Sequence, residues 1–223
     1  MYDAVIFDND GVILELTDRT LFRRVVHDAF AAHGVTDPPP AHLDALQFVD
    51  HDAVEETLDP LGDAHDVDPA ALWATRDELA VSAQVTAAAN GKKPPYDDVH
   101  HLDTFDVPLG VVSNNQHATV TRVLAHHGLA DRFETMYGRD HSLEGLRNKK
   151  PNPHYIDRAI ADLGVEDPLY VGDSATDILA ARNAGIDAAF IRRPHRRAYD
   201  LPVAPDHELT GLGDIQGLLN GRH

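Results

Sequence analysis

Four short runs of aliphatic and β-branched residues, AVIFD, LGVVSN, LYVGD and AAFI, set the terms on which this chain can fold. Each gives way at once to polar residues or glycine, which is the pattern of a strand buried on both faces of a parallel sheet. Parallel strands need long crossover connections, and the intervals between the runs supply them. Between LGVVSN and LYVGD, HATVTRVLAHHGL groups Val120, Val123 and Leu124 and closes with Gly128. PHYIDRAIADLGV follows, with Pro153 suited to a first helical turn and Gly164 to a C-cap. After LYVGD comes DILAARNAGI, again closed by glycine. Strand and helix in alternation predict an α/β fold with a doubly wound, Rossmann-like parallel-sheet core.

The stretch from Leu16 to Lys92 breaks this rhythm. It holds no convincing strand but several helical segments, RTLFRRVVHDAFAAHG, PAHLDALQFV, DAVEETLDPLG and DPAALWATRDELAVSAQVTAAANG, punctuated by Pro and Gly. The expected organisation is a core of residues 1–15 and 93–223 with an all-helical insertion over 16–92. A chain of 223 residues is long enough to bury one substantial core and still carry such an insertion.

Charge narrows the partners. With 37 Asp+Glu against 19 Lys+Arg the formal charge is -18, which disfavours nucleic acid and anionic membrane by repulsion. Of the 37 acids 29 are Asp, and only 4 of the 19 bases are Lys, a balance that suggests adaptation to high salt, where screening shortens self-repulsion. The chain has no cysteine, which excludes disulfides, a thiolate nucleophile and cysteine metal sites. It begins with the strand-like YDAVIF, without a charged n-region and long apolar segment, and no apolar run approaches the ~18 residues of a membrane span. A cytoplasmic protein, monomer or homodimer, is expected.

In open α/β sheets the carboxyl ends of the strands meet at one crevice. Here those ends carry Asp8 and Asp10, then Ser113 and Asn114, then Asp173, Ser174 and Asp177, and KKPNP adds Lys150 just before a proline-marked helix start. Asp8, Asp173 and the main-chain carbonyl of Asp10 offer the hard oxygens that Mg²⁺ prefers, and a cation there would offset the repulsion between two aspartates one residue apart. Ser113, Asn114 and Lys150 supply donors for phosphoryl oxygens. An ionised aspartate can attack phosphorus once its charge is offset, which casts Asp8 as nucleophile. Asp10 would protonate the leaving alcohol and then deprotonate a water, which requires its pKa to lie above that of Asp8.

FDNDGV, VVSNN, KKPNP and YVGDSATD, in this order, resemble the four signature motifs of the haloacid dehalogenase superfamily, and the helical insertion resembles its first cap type. The likeness covers nearly the whole chain, weakly within the cap, and layout is similar to phosphoglycolate phosphatase and β-phosphoglucomutase. The resemblance implies Asp8 as nucleophile, Asp10 as acid/base, Ser113 and Lys150 as phosphate binders, Asp173 as metal ligand, and Asp177 supporting the metal's water shell or Lys150. The founding dehalogenases lack an aspartate two residues after the nucleophile, so Asp10 argues for phosphoryl transfer. Two departures stand out: LELTD where an Asp-Ser pair usually follows DGVI, and Asp97-Asp98 where Pro-Gly usually follows PY.

Each motif alone has a plainer reading: DND-G as a turn, SNN as a helix cap, GDSATD as a capping arrangement. Their joint occurrence at successive strand ends favours chemistry. The expectation is a Mg²⁺-dependent phosphatase acting on a small phosphate ester through an aspartyl-phosphate. A phosphomutase or a non-catalytic binding relative are the alternatives. His100-His101 and His126-His127 lack the spacing of zinc sites and read as surface positions. RRPHRR, residues 192–197, reads as a loop that balances acids or touches the cap rather than as a nucleic-acid patch. Arg19, Arg23 and Arg24 are weak candidates for a substrate carboxylate, and Trp73 reads as cap-helix core.

Overall fold

In the computed structural model, which describes residues 1–221, six parallel strands form one sheet in the order β3-β2-β1-β4-β5-β6. They are β1 (Ala4–Phe7), β2 (Leu109–Gln116), β3 (Thr135–Arg139), β4 (Pro168–Gly172), β5 (Ala188–Ile191) and β6 (His207–Leu209). The four apolar runs are β1, β2, β4 and β5. The other two lie at the sheet edges, where burial is lower and the sequence signal weaker: β3 is TMYGR and β6 only HEL. A short edge strand needs little apolar sequence because one flank has no neighbour.

The strand order reverses beside β1, which pairs with β2 on one side and β4 on the other. That is the topological switch point where such sheets bind ligands. Helices α5 (His117–His126), α7 (His154–Leu163) and α8 (Ala175–Ala184) are among the connections, and α6 (Leu143–Arg147) and α9 (Ile215–Leu219) complete the core. Val5, Phe7, Val111, Val120, Val123, Leu169 and Val171 pack on one face of the sheet. Ile6, Val112, Tyr155, Ile156, Tyr170, Ile178 and Phe190 pack on the other. The alternation of side chains along each strand makes both layers from the same few residues.

Between β1 and β2 come α1 (Arg19–Ala32), α2 (Pro40–Gln47), α3 (Val54–His65) and α4 (Pro69–Ala89), with no strand. Asp18 caps α1 by accepting from Thr20 N at 2.8 Å, and Asp68 caps α4 by accepting from Ala70 N at 2.9 Å, with Pro69 at the first helical position. The helices close on their own apolar cluster, including Val26, Phe30, Leu46, Leu58, Leu72 and Trp73. None of the helices among the described residues is long and apolar enough to cross a membrane.

Candidate active site

Phe7 ends β1, so Asp8 emerges at the rim of the sheet at the switch point, almost buried. Gly11 then turns the chain with φ +86°, a conformation that glycine alone adopts cheaply, and a Cβ there would stand 2.5 Å from Asp173 Oδ2. The turn therefore does two things: it leads the chain away from the sheet, and it leaves room for a carboxylate from β4. On the neighbouring strand, pairing with β3 slips between Ser113 and Gln116. Such a bulge re-aims side chains at a strand end. Ser113 Oγ accepts from Asn115 N at 3.2 Å, and the Asn114 side chain clamps the main chain of Lys150, giving to its carbonyl at 3.0 Å and taking from its N–H at 2.7 Å.

Lys150 is buried and sits between two carboxylates, 2.9 Å from Asp8 Oδ1 and 2.6 Å from Asp177 Oδ1. It also donates to the Tyr170 hydroxyl at 2.7 Å and to the Val112 carbonyl at 3.1 Å. Asp177 does double duty. Its other oxygen accepts from Ser174 N at 3.0 Å, Ser174 Oγ at 2.5 Å and Asp173 N at 3.2 Å, a capping box at the start of α8. The capping reading of GDSATD and its chemical reading are thus both satisfied by one side chain. Gly172 is required by this arrangement, since a Cβ there would lie 2.2 Å from Asp177 Cβ.

Asp8, Asp173 and Asp177 can present carboxylate oxygens within 4.8 Å of one another. Burial pushes the Asp8 carboxyl up to about 8, with Lys150 opposing the rise and Asp177 and Asp173 adding to it. Burial and Asp177 likewise raise Asp173. Burial works against the charge of Lys150, yet Asp177 and Asp8 outweigh it and hold its ammonium well above the ordinary range. A donor set of hard oxygens whose mutual repulsion is left over is what a small divalent cation fits. Asp8 and Asp173 each engage one oxygen, Asp8 Oδ1 with Lys150 and Asp173 Oδ2 with His195 and Arg196, and could offer the other to such an ion, whereas Asp177 spends both on Lys150 and the helix cap.

The network around Asp10 was not legible in the sequence. The buried Lys93, in the segment returning from α4, forms an ion pair with Asp10 and donates to Thr17 Oγ1 at 2.6 Å. Asn115 Nδ2 donates to Asp10 Oδ2 at 3.1 Å and to Gln84 Oε1 at 2.7 Å. Burial alone would raise the Asp10 carboxyl, but Lys93, Asn115 and Asn9 hold it below its usual range. This corrects the expected order: Asp10 lies below Asp8, not above it. The physical reason is a fully buried lysine that no motif announces.

LELTD contributes Thr17 to this network and Asp18 to the α1 cap. At the other departure, Asp98 accepts from Arg193 Nη1 at 2.8 Å and from Leu212 N at 2.8 Å, tying the loop to the end of the chain. Arg193 lies in RRPHRR, whose His195 and Arg196 contact Asp173 Oδ2 at 2.6 and 3.0 Å. That segment is an acid-balancing loop, as its sequence setting suggested. Of the arginines on α1, Arg19 lines the cleft and Arg23 pairs with Asp44. Trp73 is buried in the apolar cluster of the helical insertion and also lines the cleft.

A doubly wound sheet with three carboxylates and a buried lysine at its switch point defines an α/β protein with an acidic, cation-compatible centre. Residues 5–191 match the family described as haloacid dehalogenase-like hydrolase, and the chain belongs to that family. It is 27% identical to phosphoglycolate phosphatase of Rhodobacter capsulatus, over 97% of this chain and 98% of that protein. It is 29% identical to pyrophosphatase PpaX of Halalkalibacterium halodurans, over 54% of this chain and 55% of that protein. The solved structure of CbbY from Rhodobacter sphaeroides in complex with phosphate has the same fold, with TM-score 0.69, 20% identity, and coverage of 97% of this chain and 100% of that one.

Proposed function

We propose that the chain is a Mg²⁺-dependent phosphatase that hydrolyses a small phosphorylated metabolite through an aspartyl-phosphate on Asp8. The observation that carries this reading is Lys150 held at 2.9 Å from Asp8 with Asp10 two residues further on, at a rim whose carboxylates are crowded enough to want a cation. Similarity over almost the full length to a phosphoglycolate phosphatase supports the substrate class, phosphoglycolate-like or sugar-phosphate-like. Asp8, Asp173 and the Asp10 carbonyl would hold Mg²⁺, which supplies charge neutralisation for the phosphoryl oxygens.

Mg²⁺ held beside Asp8 would offset the charges that raise its carboxyl and keep it ionised; in the first half-reaction an Asp8 carboxylate oxygen forms a bond to phosphorus, the ester P–O bond breaks, and the Asp10 carboxyl gives its proton to the leaving alcohol. Ser113 and Lys150 hold phosphoryl oxygens, while Asn114 fixes the Lys150 main chain. In the second half-reaction Asp10 takes a proton from water as that water attacks phosphorus, which releases phosphate and restores Asp8. Asp10 must be protonated at the outset, so the Lys93 contact has to loosen when substrate enters.

Residues 16–92 form the cap in this reading, with 1–15 and 93–223 as the core. The exposed Leu16 and Phe48 at the mouth of the cleft would cover the ester and exclude water. We place the protein in the cytoplasm as a monomer or homodimer, adapted to salt by its aspartate-rich surface.

The test is a panel of phosphate esters assayed with Mg²⁺, in low and molar salt, with wild type and Asp8→Asn. Turnover by wild type alone is expected. No turnover of any ester by wild type overturns the phosphatase reading, and activity persisting in Asp8→Asn overturns the assigned nucleophile.

A further inference from the structure

Asp97-Asp98, which stand where Pro-Gly usually follows PY, and the basic loop RRPHRR are far apart in the chain but meet behind Asp173. Arg193 is the anchor. It is buried, its Nε and Nη2 donate to the Val12 carbonyl at 3.2 and 2.6 Å, and its Nη1 donates to Asp98 Oδ2 at 2.8 Å. Its guanidinium lies 4.0 Å from the Tyr96 ring centroid, within cation–π reach. Asp98 Oδ2 also accepts from Leu212 N at 2.8 Å. Val12 belongs to the turn that follows Asp8 and Asp10. The turn, residues 96–98 and the loop after β5 are therefore fastened into one block.

This block presents a chain of hydrogen bonds to Asp173. His195 Nε2 lies 2.6 Å from Asp173 Oδ2, and Arg196 Nε donates to the same oxygen at 3.0 Å. On its other side His195 Nδ1 lies 3.2 Å from the Tyr96 hydroxyl. The partners assign the tautomer. Asp173 Oδ2 already accepts from Arg196, so the ring nitrogen facing it is the one that bears hydrogen, and Nδ1 of the neutral ring accepts from Tyr96. Gly11 leaves room for this contact, since a Cβ there would stand 3.2 Å from His195 Nε2 as well as against Asp173.

The last torsion of an aspartate is soft, so a free carboxylate turns its two oxygens over a broad range at little cost. With Oδ2 held by donors from the block, that freedom is lost and Oδ1 is the oxygen left for an ion. Neighbours that orient a metal ligand in this way are worth about 10–100-fold in metal affinity.

We propose that Tyr96, His195 and Arg196, anchored through Arg193 and Asp98, are positioning residues that hold Asp173 Oδ2 and thereby set the affinity of the rim for Mg²⁺. The inference rests on the Mg²⁺ centre of the phosphatase reading and deepens it: the basic loop and the Asp97-Asp98 departure serve the metal ligand. Arg196 brings a full charge as well as a donor, and a charge also repels a cation. His195 and Tyr96 are therefore the cleaner probes of orientation.

The test is calorimetric titration of Mg²⁺ into the metal-free protein, with rim binding defined as the binding that Asp173→Asn abolishes. His195→Ala is expected to weaken it at least about tenfold, and Tyr96→Phe, which removes only the hydroxyl, by at least about threefold. His195→Gln keeps an N–H where Nε2 stood and is expected to stay within about threefold of wild type, a rescue that a merely structural role would not give. His195 is exposed, so its variants leave the core untouched. Lys149→Met is the control: Lys149 lines the same cleft near Arg139 and Arg76 but donates to the Val49 carbonyl, and its loss should not weaken Mg²⁺ binding. The proposal is overturned if His195→Ala or Tyr96→Phe binds Mg²⁺ as wild type does, if His195→Gln is as weak as His195→Ala, or if Lys149→Met is weakened equally. It is overturned too if wild type shows no binding that Asp173→Asn abolishes. Turnover is read separately. A wild type that binds Mg²⁺ at the rim yet hydrolyses no ester ends the phosphatase reading, and the positioning role then stands or falls on the affinities alone.

Discussion

Asp8 and Asp77 are both buried aspartates in contact with a basic side chain, yet their surroundings act on them in opposite directions. Asp8 shares its rim with Asp173 and Asp177, and burial with those charges drives its carboxyl upward despite Lys150. Burial also opposes the charge of Asp77, but Arg139, Arg76 and Gln116 more than offset that and hold its carboxyl below the usual range. A buried charge with excess like neighbours is poised to be neutralised, by a cation, a proton or a bond to phosphorus. A buried charge with excess opposite neighbours is already satisfied and holds the chain together. The rim of the sheet keeps like charges crowded, and the seam between α4 and β3 ties helix to sheet through the Arg139–Asp77 contact.

The sharpest way to break this contrast is to remove each carboxylate in turn. Asp8→Asn should reduce turnover by at least about a thousandfold, the scale of losing a nucleophile. It should also raise the thermal midpoint of the metal-free protein, because a crowded charge has gone. A lower midpoint would show that Asp8 is structural after all. Asp77→Ala should do the reverse, costing roughly 3–5 kcal/mol in denaturant unfolding, since it leaves two buried guanidiniums uncompensated. A loss below about 1 kcal/mol would show that water or another acid replaces it.

Acid titration tests the same pair without a truncation. A carboxyl whose folded value is depressed contributes stability that is fully present above the unfolded value, about 3.9, and is lost as pH falls through the folded value. Wild type should therefore lose stability on acidification below about pH 4, and Asp77→Asn should show a shallower loss over that window. Equal slopes would sink the assignment.

Mg²⁺ should act on the rim and not on the seam. At a hundred times its dissociation constant the ion should stabilise wild type by about 2.7 kcal/mol, measured as a shift in thermal midpoint, and EDTA should abolish both the shift and turnover. Asp173→Asn should lose the shift, and Lys149→Met should keep it. The smallest effect belongs to an exposed pair between α1 and α2. Arg23→Ala removes the Arg23–Asp44 contact, where both side chains are largely solvent-exposed, and should change stability by less than about 1 kcal/mol.

Much of this was legible in the sequence because it depends on local pattern. Apolar runs ending in polar residues marked β1, β2, β4 and β5, and Pro, Gly and cap residues marked the helices. The edge strands β3 and β6 escaped because edges demand less apolar sequence. Among site residues, Asp8, Asp10, Ser113, Asn114, Asp173 and Ser174 sit at or just past strand ends, where the topology rule that gathers strand ends groups them; Asp177 follows in the first turn of α8, and Lys150, in the turn before α7, was marked by KKPNP instead. Lys93, Gln84 and Asn115 were missed because their meeting at Asp10 joins chain positions up to 105 residues apart. The one available signal was charge: Lys93 is one of four lysines in the chain, and it directly precedes the return to the core.

By itself the sequence determined the class of fold, the helical insertion and the set of groups at the rim, since each follows from periodicity, turn chemistry and the convergence of parallel strands. Only the tertiary structure decided how the charges divide. Burial and partner count set whether an aspartate is raised or lowered, and both depend on side chains brought together from α4, β2, β3 and the loop after β5. That is why Asp8 and Asp10, one residue apart, are driven in opposite directions, and why Arg76, an unremarked residue of a cap helix, ends with a donor facing no acceptor.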